Sequence, residues 1–260
     1  MRTVLVIGMG AGDPEMITLQ AVRALNRVDV VLVLDKGKET RQLVEVREEI
    51  CRQHLRDRPY RIVEVPDPRR PRRADGLAMA EYEAAVREWH AKRAEALEAT
   101  LLAEVPEDGC AAFLVWGDPS LYDSTIRVVH HILDRGNVEF DWEVFPGITS
   151  LQALTARHRI PLNQIGEQVV ITTGRRLAAD PTPPEGTTGV MLDDGLACQA
   201  IDDPEMRIYW GANIGTPDEV LRAGPLTEVI SDIVEARAEL RERTGWVMDT
   251  YLLRRLAGQD

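Results

Sequence analysis

Four apolar residues, Val4, Leu5, Val6 and Ile7, run without a break into Gly8-Met9-Gly10-Ala11-Gly12-Asp13-Pro14. A continuous apolar strand belongs to a sheet covered on both faces. The glycines and proline behind it stop the strand and turn the chain. Thr18 is placed to cap a helix in which Leu19, Val22 and Leu25 recur at helical spacing. A second apolar run, Val30 to Leu34, ends at Asp35-Lys36-Gly37. The chain therefore opens with a β-α-β unit, which demands parallel strands and a right-handed crossover.

The same alternation continues. Leu43, Val46, Ile50 and Leu55 mark an amphipathic helix, and Tyr60 to Val65 a strand. Pro66 to Gly76, rich in proline and arginine, reads as an irregular loop. Met79, Tyr82, Val86, Trp89 and Leu97 trace one face of a long helix. Ala111 to Val115 is a buried strand, and Ile126, Val129 and Leu133 mark the next helix. Phe140, Trp142 and Val144 form a strand ending at Pro146-Gly147, and a helix through Leu151 and Leu154 follows. Beyond it the pattern changes. Strands are expected at 168–172, 189–192, 206–210 and 246–253, with helices near 216–222 and 227–243. The expected architecture is two α/β domains, 1–163 with a mostly parallel sheet and 164–260 smaller and mixed, the boundary lying near Leu162 to Gly166.

Composition narrows the function. With 44% hydrophobic and 28% charged residues the chain can bury a core and is not disordered. No apolar run nears the roughly 20 residues of a membrane span, and Val4 to Ile7 is too short for a signal-peptide core. A formal charge of -12 disfavours nucleic acids unless basic residues concentrate on one face. The one dense basic run, Arg69, Arg70, Arg72 and Arg73, reads as a solvated loop. Cys51, Cys110 and Cys198 form no CxxC pair and read as buried free thiols of a cytoplasmic protein. The histidines show no metal-ligand spacing, and no metal is expected.

The glycine turn, followed by Asp35 at the end of the next strand, has the layout of a nucleotide-binding β-α-β unit. A dinucleotide fingerprint needs its third glycine at position 13. Asp13 stands there instead, and Pro14 removes an amide donor, so the turn suits pyrophosphate poorly. Two more special turns end strands, Gly117-Asp118-Pro119-Ser120-Leu121-Tyr122 and Pro146-Gly147-Ile148-Thr149-Ser150. In an open α/β sheet, ligands sit beyond the carboxyl ends of the strands. Three such turns point to one crevice.

GxGxGDPxxxT from Gly8 to Thr18, GDPxxY from Gly117 to Tyr122 and PGITS from Pro146 to Ser150 together resemble the tetrapyrrole (corrin and porphyrin) methylases. The likeness runs in order along nearly the whole chain and departs at Ala11, where that family carries proline. It implies a homodimer of two-domain subunits, with S-adenosylmethionine folded into the cleft between the domains. Carried over, cofactor contacts come from Trp116, Gly117, Asp118, Leu121, Thr149 and Ser150. Further contacts come from Leu192, Asp193, Ala212 and Gly215, several through backbone atoms. Gly10 and Asp13 then line the substrate side.

Leu34-Asp35-Lys36-Gly37, WGDPSLYDST from Trp116 to Thr125, PGITSLQALTARHRIPLN from Pro146 to Asn163 and Thr172-Thr173-Gly174-Arg175-Arg176 most resemble one subgroup. That resemblance implies methylation of C1 of precorrin-5, with loss of the C20 acetyl group as acetate. Water must attack a ketone in that reaction, so a general base is expected. The candidates are Asp35, Tyr122 and His158. Their alternatives are a helix cap or salt-bridge partner, a packed aromatic, and a surface histidine. Arg175, Arg176 and Lys36 are candidates for the substrate's carboxylates, because guanidinium forks match carboxylates. An NAD-dependent oxidoreductase, methylation of another ring carbon, and a non-catalytic binding protein are the competing readings.

Overall fold

The computed structural model describes residues 1–35, 41–56, 59–68, 79–183 and 185–255. The chain forms two compact units, one of Met1–Gly10 with Pro14–Ile148, the other of Ala11–Asp13 with Thr149–Asp260.

The first unit holds β1 (Arg2–Gly8), β2 (Val30–Asp35), β3 (Arg61–Pro66), β4 (Cys110–Val115) and β5 (Phe140–Phe145). All pair in parallel, in the order β3-β2-β4-β1-β5. Alternate residues of β1 serve opposite faces, as the two-residue period of a strand requires. Leu5 and Ile7 join a core with Ala21, Leu25, Val44 and Ile50, contributed by α1 (Leu19–Leu25) and α2 (Arg41–His54). Val4 and Val6 join another with Leu97, Leu101, Val129 and Ile132, from α3 (Met79–Glu104) and α4 (Thr125–Arg135). The continuous apolar run is thus the signature of a sheet sandwiched by helices. The connection leaving β1 runs toward β2 and the one leaving β4 toward β5, in opposite directions across the sheet. The carboxyl ends of the adjacent β1 and β4 are therefore the switch point, where α/β sheets open a ligand crevice.

The second unit holds α5 (Ser150–His158), β6 (Val169–Thr173), α6 (Gly174–Ala179), β7 (Thr187–Met191), β8 (Met206–Ala212), β9 (Val220–Pro225), α7 (Leu226–Thr244) and β10 (Asp249–Arg255). Its sheet runs β6-β7-β10-β8-β9, with only β6 and β7 parallel. Leu177 of α6 and Ile233 and Leu240 of α7 cover one face, over Trp210, Tyr251 and Leu253. On the other face Leu151 and Leu154 of α5 press on Gly189 and Gly211, where an added Cβ would stand 3.1 and 2.8 Å from leucine methyls.

Several expectations are corrected. The helix expected near 216–222 is instead a turn leading into β9, whose Val220 pairs with Ala212 of β8. Thr216-Pro217-Asp218-Glu219 has the chemistry of a helix start, but antiparallel pairing overrides it. The last strand begins at Asp249, not at 246. Of the positions at helical spacing in α1, Leu25 is buried while Leu19 is 76% exposed, and Ala21 and Ala24 complete the buried face. α5 packs on β8 and β10, and the second compact unit takes it in from Thr149 onward. The short α6 was not anticipated. Among the described residues no helix is long and apolar enough to cross a membrane.

Candidate active site

The strand ends that open the three special turns converge within the first unit. Met9 donates its amide to the carbonyl of Val115 (2.9 Å), and Gly117 donates to Gly10 (2.8 Å), closing an isolated bridge between the first two loops. A Cβ on Gly147 would lie 2.1 Å from the Gly117 carbonyl oxygen and 2.9 Å from Gly8 Cα. Hydrogen in place of a methyl is what lets the ends of β1, β4 and β5 touch backbone to backbone. Gly10, expected on the substrate side, is buried at φ +82°, with Met16 where a side chain would be.

Asp118 holds the convergence together. One carboxylate oxygen accepts the Gly147 amide at 2.8 Å, and the other accepts the amide and hydroxyl of Ser120. Burial acts to raise its pKa, but the Ser120 and Gly147 hydrogen bonds outweigh it and hold the carboxyl below its ordinary value. Trp116 packs against the core beside α1 and α2. Leu121 is half-buried, and Tyr122 is 44% exposed with φ 54°, a left-handed conformation in a residue other than glycine. The cofactor candidates Trp116, Gly117, Asp118 and Leu121 and the base candidate Tyr122 thus lie on one loop at the switch point. Asp35 ends β2 at the same edge of the sheet. Lys36 falls outside the described residues.

In the second unit, Leu192 and Asp193 end β7 in opposite ways. Leu192 is 59% exposed at φ 53°. Asp193 turns inward, accepting from Gly195 (3.1 Å), Ala197 (2.7 Å) and the Tyr251 hydroxyl (2.5 Å). Its carbonyl accepts from Arg237, which also pairs with Asp249 at 3.0 Å. Trp210 Nε1 completes this buried network on Asp249. Thr149 and Gln152 form a capping box at the start of α5, with Ser150 its first residue. Ala212 is buried at the end of β8. Gly215, at φ +81°, has the Asp13 amide where a Cβ would stand, and its own amide donates to Glu219 at 2.8 Å. Asp13 lies 3.9 Å from Arg157, which also pairs with Glu219. His158 is half-buried, with Nε2 3.0 Å from the Trp210 carbonyl, so this nitrogen carries the proton and Nδ1 keeps the lone pair. Arg175 and Arg176 are exposed in the first turn of α6.

Two features lay beyond the reading of the motifs. Arg93 of α3 is buried against Asp67 and bonded to Ser124, and Arg237 of α7 is half-buried in the Asp193 network. Both interrupt an apolar stripe at helical spacing, Arg93 between Trp89 and Leu97, Arg237 between Ile233 and Leu240. A charge at such a position signals a buried pair.

The dinucleotide reading lacks its cradle. A short 3-10 turn, Pro14–Met16, follows the glycines, and α1 starts only at Leu19, capped by Thr18 at 3.1 Å. No helix N-terminus opens directly from the glycine turn as pyrophosphate binding requires.

Comparison with known proteins agrees. The chain matches the family described as Tetrapyrrole (Corrin/Porphyrin) Methylases over residues 3–230. Precorrin-6A synthase (deacetylating) of Sinorhizobium sp is 49% identical over 260 residues, covering 100% of this chain and 98% of that protein. The crystal structure of a cobalamin-synthesis-related protein, CobF, from Corynebacterium diphtheriae superposes with a TM-score of 0.81 at 40% identity, over 98% of this chain and 99% of that one. Uroporphyrin-III C-methyltransferase of Thermus thermophilus, crystallised with S-adenyl homocysteine, shares the fold at a TM-score of 0.58 and 21% identity, over 97% and 92% of the two chains. Strand ends held in contact by glycine, a family match across most of the sequence and full-length relatives on both sides lead to one conclusion: this chain is a methyltransferase belonging to the tetrapyrrole methylases.

Proposed function

We propose that the chain transfers a methyl group from S-adenosylmethionine to C1 of precorrin-5, with release of the C20 acetyl group as acetate to give precorrin-6A. The observation that carries this reading is the full-length identity with precorrin-6A synthase. The switch-point geometry supports it, since three loops meet there without a phosphate cradle. S-adenosylmethionine suits such a site because it carries no phosphate. When bound it supplies an electrophilic methyl on a sulfonium. Trp116, Gly117, Asp118 and Leu121, on one loop at the switch point, would hold it. Asp118 acts by fixing the loop, its oxygens being committed to Ser120 and Gly147. By the family resemblance, Thr149, Ser150, Leu192, Ala212 and Gly215 are further cofactor candidates, with Asp193 serving to place Leu192.

The protein's part is chiefly orientation and exclusion of water, since attack requires an electron-rich carbon in line with the methyl. Acetate release needs more. Water adds to the acetyl carbonyl, the bond from C20 to the acetyl carbon breaks with its electrons passing to the ring, and a base removes the water proton. Asp35, Tyr122 and His158 are the candidates. Burial lowers the His158 pKa against the opposing pull of the Trp210 carbonyl and Glu219, so it is neutral and basic at Nδ1 near pH 7. Asp13, Lys36, Arg175 and Arg176 are proposed on the substrate side, the cations toward its carboxylates. A homodimer in the cytoplasm is part of the same proposal, resting on the family resemblance.

Mass spectrometry of the product made from precorrin-5 tests the reading. A gain of one methyl with loss of the acetyl group supports it, and methylation with the acetyl retained refutes it. Equilibrium dialysis against S-adenosylhomocysteine and NADH separates it from the oxidoreductase, because binding of NADH alone overturns it.

A further inference from the structure

We propose that Arg93 is a positioning residue for methyl transfer: from α3 it fixes, through Ser124, the loop that holds Tyr122 in its left-handed conformation. The inference rests on the reading of residues 116–122 as the cofactor loop.

Arg93 is 4% exposed. Its guanidinium grips both oxygens of Asp67, Nε at 2.8 Å from Oδ1, and it sits 4.4 Å above the Trp89 ring. Trp89 in turn donates to the Pro68 carbonyl at 2.7 Å. A third guanidinium N–H reaches Ser124 Oγ at 2.8 Å. Asp67 and Pro68 follow β3, and Ser124 precedes α4, so one side chain ties together loops at the carboxyl ends of β3 and β4. These strands are not neighbours, since β2 lies between them.

A buried ion pair is weak evidence of stabilisation, because desolvation offsets most of its attraction. What it supplies here is direction. Ser124 stands at the N-cap of α4 yet makes no capping bond. Its hydroxyl is given to Arg93, and Asp123 accepts the Thr125 amide instead, at 2.6 Å. Upstream, Asp118 pins the loop to Ser120 and Gly147. Tyr122 lies between these two anchors at φ 54°. A left-handed tyrosine is disfavoured and persists only where its surroundings enforce it. Asp118 and Arg93 anchor the loop on either side of it, so that α3, through Arg93, is part of the machinery that shapes the loop.

The test compares Ser124→Ala, Ser124→Thr and Arg93→Lys with the wild type. Amide hydrogen exchange at residues 120–124 and kcat with precorrin-5 are both measured. In Ser124→Ala these amides are expected to exchange at least about tenfold faster, and kcat to fall about tenfold to a hundredfold. Tm should stay near wild type. Ser124→Thr, which keeps the hydroxyl, should restore both readouts. Wild-type exchange and kcat in Ser124→Ala would overturn the proposal, as would a loss that Ser124→Thr does not repair. Should Arg93→Lys fail to fold, the two serine variants still decide. Absence of methyl transfer in the wild type itself would instead sink the proposed function, while the exchange data would still judge the Arg93 clamp.

Discussion

Asp118 accepts the backbone amide of Gly147 across the end of β1, so that one carboxylate joins loops of two strands that are not adjacent in the sheet. Gly8 lies between them, a Cβ there meeting the Gly147 amide at 2.5 Å and the Gly117 carbonyl at 2.9 Å. The switch point is thus closed by backbone, and a side chain commonly read as a ligand contact is its fastener.

Asp118→Asn should cost about 1–3 kcal/mol in urea denaturation, because the amide group faces donors where an oxygen accepted. The folded pKa lies below the unfolded one, so the unfolded chain protonates first on acidification. The contribution is complete above about pH 4 and is lost as pH falls through the folded value. The gap between wild-type and variant denaturation midpoints should therefore narrow below pH 4. A constant gap would show that the carboxylate charge is unimportant here.

Gly147→Ala has no room for its methyl, which would stand 2.1 Å from the Gly117 oxygen. Backbone must move, at a cost of at least about 3 kcal/mol. S-adenosylhomocysteine titration should show affinity weakened together with stability. An alanine variant with wild-type Tm and affinity would disprove the close-approach account.

Leu192 and Asp193 are adjacent but should separate stability from binding. Asp193→Ala strips Gly195, Ala197 and Tyr251 of their acceptor and should destabilise by about 2–4 kcal/mol. Leu192→Ala removes an exposed side chain and should change stability by less than about 0.5 kcal/mol. Calorimetric binding of S-adenosylhomocysteine should nevertheless weaken in Leu192→Ala. Unchanged affinity there removes Leu192 from the site.

His158 is held neutral mainly by burial, its folded pKa lying below the unfolded value. The unfolded chain takes up a proton below about pH 6.5 that the native chain refuses. Stability from this group is complete above that pH and declines as pH falls toward the folded pKa. His158→Gln should flatten the corresponding part of the urea-midpoint profile between pH 5 and 7.5. The same variant settles its chemistry, because loss of acetate release with normal SAH binding marks the base.

The opening β-α-β unit, the helix-covered first sheet and the three strand-end turns could be read directly, because apolar period and glycine-proline chemistry are local properties. Thr18 capped its helix as expected for the same reason. Residues 216–222 were misread because Thr-Pro-Asp-Glu carries local helix chemistry, while the strand that forms there depends on β8. Asp193 is a cofactor candidate by resemblance, but that its carboxylate accepts from Tyr251, 58 positions away in the chain, could not be read locally. Ser124 was an ordinary loop hydroxyl until Arg93, 31 positions earlier, claimed it.

By itself the sequence determined which segments cross the sheet, which faces they bury and where the chain must turn, since each follows from neighbouring residues. Only the tertiary structure decided which polar side chains reach outward and which fasten the loops. A carboxylate or hydroxyl on a turn takes whatever partner the fold brings within about 3 Å, and that partner comes from another strand or helix.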